Sequence, residues 1–126
     1  MQGITQKIKL YLNAFLPPIL WAGLIFILSN QSNLPGPNVY LFDFLFKKMA
    51  HIFVYFVLYF LFYRAIAKTS NSQRLRLILP ILICIIYAMS DEIHQSLIPN
   101  RYPTLRDVFY DSFGVMLAFL KKHNYL

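Results

Sequence analysis

Charge is scarce in this chain, and negative charge is scarcer still. Only 13% of its 126 residues are charged, and five are acidic; a soluble domain carries about 25%. That deficit excludes an ordinary soluble protein. Cysteine is nearly absent as well: with Cys84 alone no intrachain disulfide can form, and its place in an apolar run marks it as a small core hydrophobe. The four glycines build no phosphate-cradling loop, and no Ser or Cys stands beside an evident activating partner.

Apolar residues fill the space instead. They make up 58% of the chain, and aromatics 17%, which is room for about four spans of roughly 20 residues with short joints. The chain therefore reads as an all-α polytopic membrane protein, a compact bundle of four transmembrane helices forming one domain over residues 1–126. Spans are expected at about 10–29, 44–66, 77–98 and 105–120.

The first span follows Lys7 and Lys9, is interrupted by Pro17 and Pro18, and lacks a small-residue cleavage site after Leu28, so it reads as uncleaved. Ile4, Ile8, Tyr11, Leu12 and Phe15 recur at helical spacing, which predicts an amphipathic lead-in, with the prolines kinking or starting the span proper. Asn30 to Val39 is a polar, turn-forming loop. In the second span Lys48, His51, Tyr55 and Tyr59 share one face. Lys68 to Arg76 is a basic joint, Pro80 loosens the third span, and Pro99 to Pro103 forms a loop. Thr104-Leu105-Arg106-Asp107 has the form of a capping box and starts the fourth helix, where Asp107, Asp111, Gly114 and Ala118 share a face.

The chemistry is concentrated after Met89. An apolar run, Leu77 to Met89, leads directly into Asp91, Glu92, His94, Gln95 and then Arg101. Ionisable groups at membrane depth cost a few kcal/mol or more unless paired, so such a cluster is a functional site by default. Orientation follows from the basic residues. With a cytoplasmic amino terminus, Lys7, Lys9, Arg64, Lys68, Arg74, Arg76, Lys121 and Lys122 lie inside, against Lys47, Lys48, Arg101 and Arg106 outside. The same arrangement puts all five acids, with His51 and His94, at the outer ends of the spans. The net charge of +7 is thus accounted for by topology, and a nucleic-acid partner is not expected.

Lys48-Met49-Ala50-His51, Tyr55, the block Asp91-Glu92-Ile93-His94-Gln95, Pro99-Asn100-Arg101, Asp107 and Gly114 together resemble the VanZ-like family of small bacterial membrane proteins. The resemblance covers roughly residues 25–120, with Ser29 matching the polar end of the first span. Asn100 stands where the family usually has Gly, and Asp111 where it usually has Asn. Asn tolerates the left-handed turn that Gly would supply, whereas Asp111 adds a negative charge. The resemblance implies the bacterial plasma membrane and a link to resistance against teicoplanin, a glycopeptide that binds cell-wall precursors.

Three classes of function remain open. In the first, the protein binds or modifies an anionic envelope component at the outer face, its partners being membrane lipid and a lipid-linked cell-wall precursor or the glycopeptide, with Lys48, Tyr55, Gln95 and Arg101 binding it. In the second it is a membrane-embedded hydrolase or transferase with His51, Asp91, Glu92, His94 and Asp107 as catalytic groups, either histidine serving as general acid or base. In the third the polar cluster only packs the helices together. His51, His94, Asp91, Glu92, Asp107 and Asp111 are hard donors but match no strong ligand signature, so no metal and no cofactor are assigned.

Overall fold

The computed structural model describes residues 1–30, 39–102 and 104–126. It contains four α-helices: α1 (Gln2–Ser29), α2 (Tyr40–Thr69), α3 (Gln73–Gln95) and α4 (Leu105–Lys122). The expected loop from Asn30 to Val39 lies outside the described residues over 31–38, and so does Pro103 in the loop before α4.

Each helix was expected from an apolar run, and all four extend past its edges, α4 by only two residues, to Lys122. α1 begins eight residues before Leu10 and passes through Pro17 and Pro18 without ending. α2 begins at Tyr40 instead of Phe44 and continues to Thr69, while α3 begins at Gln73 within the predicted basic joint, where the Ser72 hydroxyl accepts from the Leu75 amide at 3.4 Å. Backbone hydrogen bonds and caps, not hydropathy, set these ends. At the other end α3 stops at Gln95, three residues short of the expected Ile98. Pro99 disfavours helical backbone at the residue before it, and the chain turns through Ile98 N to Gln95 O and Arg101 N to Ile98 O bonds, with Asn100 at φ 63°.

Among the described residues three helices, not four, are long and apolar enough to cross a membrane: α1, α2 and α3. α4 has 18 residues, about 27 Å of helix, but Arg106, Asp107, Asp111, Lys121 and Lys122 fall within it.

Helices consecutive in sequence alternate in direction. Trp21 Nε1 donates to the Val54 carbonyl at 2.8 Å, and Asn13 meets Arg64 and Lys68, so α1 and α2 are antiparallel. Tyr87 OH donates to the Ala22 carbonyl at 2.5 Å and Gln95 meets Ser29, which sets α3 parallel to α1. α2 and α4, which share the largest interface, run parallel: Lys48 pairs with Asp107, Tyr59 packs on Phe119 and Tyr63 on His123. The core between them holds Tyr55, Leu58, Tyr59, Cys84, Ala88, Val115 and Ala118. Gly114 permits the approach, since a Cβ there would meet the Ile52 backbone carbonyl. Large apolar side chains such as Ile19, Leu20, Phe53, Ile86 and Met116 lie exposed on the outer faces, as a lipid-facing surface requires.

Candidate functional site

Because the helices alternate, the carboxyl ends of α1 and α3 meet the amino-terminal parts of α2 and α4. There they enclose a cavity of about 760 Å³. Ile25, Leu28, Phe46 and Val54 form an apolar wall, and Ser29, Lys48, His51, Tyr55, Asp91, Gln95, Arg101 and Asp107 supply its polar groups. Its size falls within the usual range for small-molecule sites, about 300–1,000 Å³.

Two ion pairs join α2 to α4 along this wall. Lys48 Nζ donates to Asp107 Oδ1, and the Thr104 hydroxyl donates to Asp107 Oδ2 at 3.4 Å. Thr104 is the N-cap as expected, but its side chain makes no bond to the backbone of the first turn. The expected capping box is replaced by a side-chain link that holds Asp107 toward Lys48. One turn further along, His51 Nδ1 lies 2.7 Å from Asp111 Oδ1. The Asp111 side chain is fully buried, whereas that of His51 keeps a 20% exposure. On α3, Gln95 Nε2 donates to Ser29 Oγ at 3.0 Å and to Asp91 Oδ2 at 3.2 Å, which ties α1 into the site.

Several buried polar atoms find no partner among the described residues: Tyr55 OH, Asp91 Oδ1, both Glu92 carboxylate oxygens and Asp111 Oδ2. Buried groups of this kind are nearly always hydrogen-bonded, so each needs an explanation. With Tyr59 OH, His94 Nδ1 and His123 Nε2, which complete the set, half of the atoms are carboxylate oxygens. Donors from a proton, a water or a ligand would satisfy them.

Of the residues singled out in the sequence, Lys48, His51, Tyr55, Asp91, Gln95, Arg101 and Asp107 come together around the cavity. Glu92 and His94 are not among its lining residues. Glu92 is buried with neither oxygen bonded. His94 turns to the α1–α3 seam and stacks on Phe26, with ring centroids 4.4 Å apart. The helical period separates Glu92, about 100° around α3 from Asp91, whereas His94, three residues after Asp91, lies at the edge of the Asp91–Gln95 face on the side toward Phe26.

The sequence reading left Asp111 out of the site, although its spacing from Asp107 placed both on one face. Lys47, half-exposed and paired with Asp43 at 2.8 Å, also lines the cavity, as do Tyr40, Asn100 and Tyr102. Asn100 and Lys47 had been noted in the sequence, as part of the Pro99-Asn100-Arg101 motif and as an outer basic residue, but for Tyr40 and Tyr102 no sequence signal was available. No group of three or more His, Cys, Asp or Glu side chains suited to hold a metal occurs among the described residues.

An all-α bundle with three membrane-length apolar helices and an internal polar site defines a small integral membrane protein. The VanZ/LLP1 family profile matches residues 9–121, nearly the whole chain, and the protein belongs to that family. No curated protein and no solved structure matches the chain.

Proposed function

We propose that this VanZ/LLP1 protein is a multi-pass protein of the bacterial plasma membrane that binds an anionic amphiphile of the cell envelope in the cavity. The observation that carries this reading is the cavity's two-sided lining: an apolar wall beside Lys48, His51 and Arg101. A lipid-linked precursor or a lipid headgroup has the matching pair of chemistries, an acyl or prenyl chain and a phosphate or carboxylate. Arginine's planar fork suits such an anion. Unpartnered Tyr55 and Asp91 atoms in the same wall supply further contacts for sugar or amide groups.

In this reading α4 is the fourth span despite its charges, because Asp107 and Asp111 are neutralised against α2 and do not face lipid. Both termini are then cytoplasmic, the cavity opens on the outer face, and shielding or sequestering a precursor there contributes to teicoplanin tolerance. Catalysis is the second reading, favoured by the His51–Asp111 pair. With its Nδ1 proton donated to the carboxylate, a neutral imidazole keeps a lone pair on Nε2 and is a general base beside the cavity.

Two measurements test the proposal. A carboxy-terminal reporter should be active only in the cytoplasm, and activity outside would defeat the four-span topology. Native mass spectrometry of the purified protein should detect co-purifying anionic envelope lipid, with one bound copy fewer in Arg101→Ala than in the wild type. Equal recovery from both proteins would defeat the binding reading.

A further inference from the structure

The far end of the bundle presents the opposite chemistry. All five acids (Asp43, Asp91, Glu92, Asp107 and Asp111) belong to the cavity half of the chain's helices, whereas eight Lys and Arg residues occupy the other end with no acid beside them. Two of these cations converge. Lys68 Nζ donates to Asn13 Oδ1 at 3.1 Å, and Arg64 Nη2 donates to the same oxygen at 3.4 Å. A neutral amide oxygen thus holds two positive heads within a few ångströms of each other. It relieves none of their repulsion, and it takes only one donor from each, leaving further donors on the guanidinium and the ammonium.

Position narrows the kind of anion that would suit these two cations. Arg64 and Lys68 are one turn apart on α2, and all three residues are exposed. From Lys48 to Lys68 is twenty residues of continuous helix, about 30 Å, which equals the thickness of a bilayer's hydrocarbon core. When the cavity end reaches one interface, the Asn13 cluster lies among the phosphates of the other. Lys9 stands one turn before Asn13 on α1 and adds a third cation to the same face.

We propose that Asn13, Arg64 and Lys68 form a headgroup site for an anionic phospholipid at the end of the bundle opposite the cavity. Arg64 takes the phosphate with its planar fork and Lys68 supplies a point charge, while Asn13 sets the spacing between them. The lipid clamps the crossing of α1 and α2 at the place where α1 leaves the bundle, just before the buried Ala14.

The full chain, purified and loaded with phosphatidylglycerol or phosphatidylcholine, tests this by native mass spectrometry. The wild type should retain phosphatidylglycerol roughly tenfold better than phosphatidylcholine, the scale expected from two cations near an anionic surface. Arg64→Gln with Lys68→Gln should abolish the preference, and Lys68→Arg should preserve it. Asn13→Asp is the sharper variant, because it gives the two cations an internal carboxylate, keeps α1 and α2 joined, and should also abolish the preference. Undiminished phosphatidylglycerol retention by Asn13→Asp would overturn the proposal, and so would equal retention of the two lipids by the wild type. Displacement of the lipid by millimolar inorganic phosphate would indicate a free-anion site instead. Loss of the preference in Arg101→Lys would move the lipid to the cavity and equally overturn it.

Discussion

The α2–α4 seam and the seams made by α1 are built from different interactions. Along α2–α4 the contacts at the cavity end are ionic, Lys48 with Asp107 and His51 with Asp111, and they sit beside a backbone approach that only Gly114 allows. Against α1 no acid takes part: the Trp21 indole and the Tyr87 hydroxyl each donate to a backbone carbonyl, Gln95 donates to Ser29, Phe26 stacks on His94, and the charged Arg64 and Lys68 meet only the neutral Asn13 amide. Neutral contact groups suit a helix that is apolar enough to enter a membrane by itself. α4 is not apolar enough, and its charges are tolerable because α2 carries the complement at the same depth. The comparison indicates that α4 depends on α2 for its place, whereas α1 is held by packing and by hydrogen bonds to neutral acceptors.

The largest effect should therefore come from the ionic seam. Asp111→Ala removes a fully buried carboxylate and should cost roughly 3–5 kcal/mol, the range for breaking a buried pair. Asp111→Asn keeps an acceptor for His51 Nδ1 and should retain most of the thermal midpoint. Equal losses for the two variants would show that His51 is not held by this bond. Gly114→Ala comes next. Alanine gains up to about 1 kcal/mol of helix propensity, but its Cβ meets the Ile52 carbonyl, and overpacking of about 1–3 kcal/mol should win. A stabilised Gly114→Ala in a thermal melt would mean that the seam yields more easily than its geometry indicates.

The α1 contacts should be worth less. Trp21→Phe or Tyr87→Phe each removes one donor to a backbone carbonyl, for about 1 kcal/mol apiece. A loss matching that of Asp111→Ala would erase the contrast between the seams. The smallest changes in stability are expected for Arg101→Lys and His94→Gln, at most about 1 kcal/mol each, the latter from the lost stacking on Phe26. Membrane abundance should stay near the wild-type level. Glycopeptide tolerance should be lost in Arg101→Lys, which lines the cavity, and His94→Gln shows whether a residue outside it contributes. Abundance falling in step with tolerance would make the cluster a scaffold.

Residues 77–89 and 44–66 identified membrane helices because burial in lipid selects apolar side chains one by one, a property of composition that needs no fold. The polar stripe Lys48, His51, Tyr55 and the acidic stripe Asp107, Asp111 were equally legible, since helical period alone aligns them. Helix ends were not, because Gln2, Tyr40 and Gln73 join their helices through backbone bonds to which hydropathy is blind. Nor was the pairing of stripes. Lys48 and Asp107 are 59 residues apart and His51 and Asp111 60, and only the parallel packing of α2 on α4 brings them together. The same packing and the helical period turned Asp91 toward the cavity and His94 toward Phe26, a choice between two residues of one motif that depends on which neighbour each face of α3 meets.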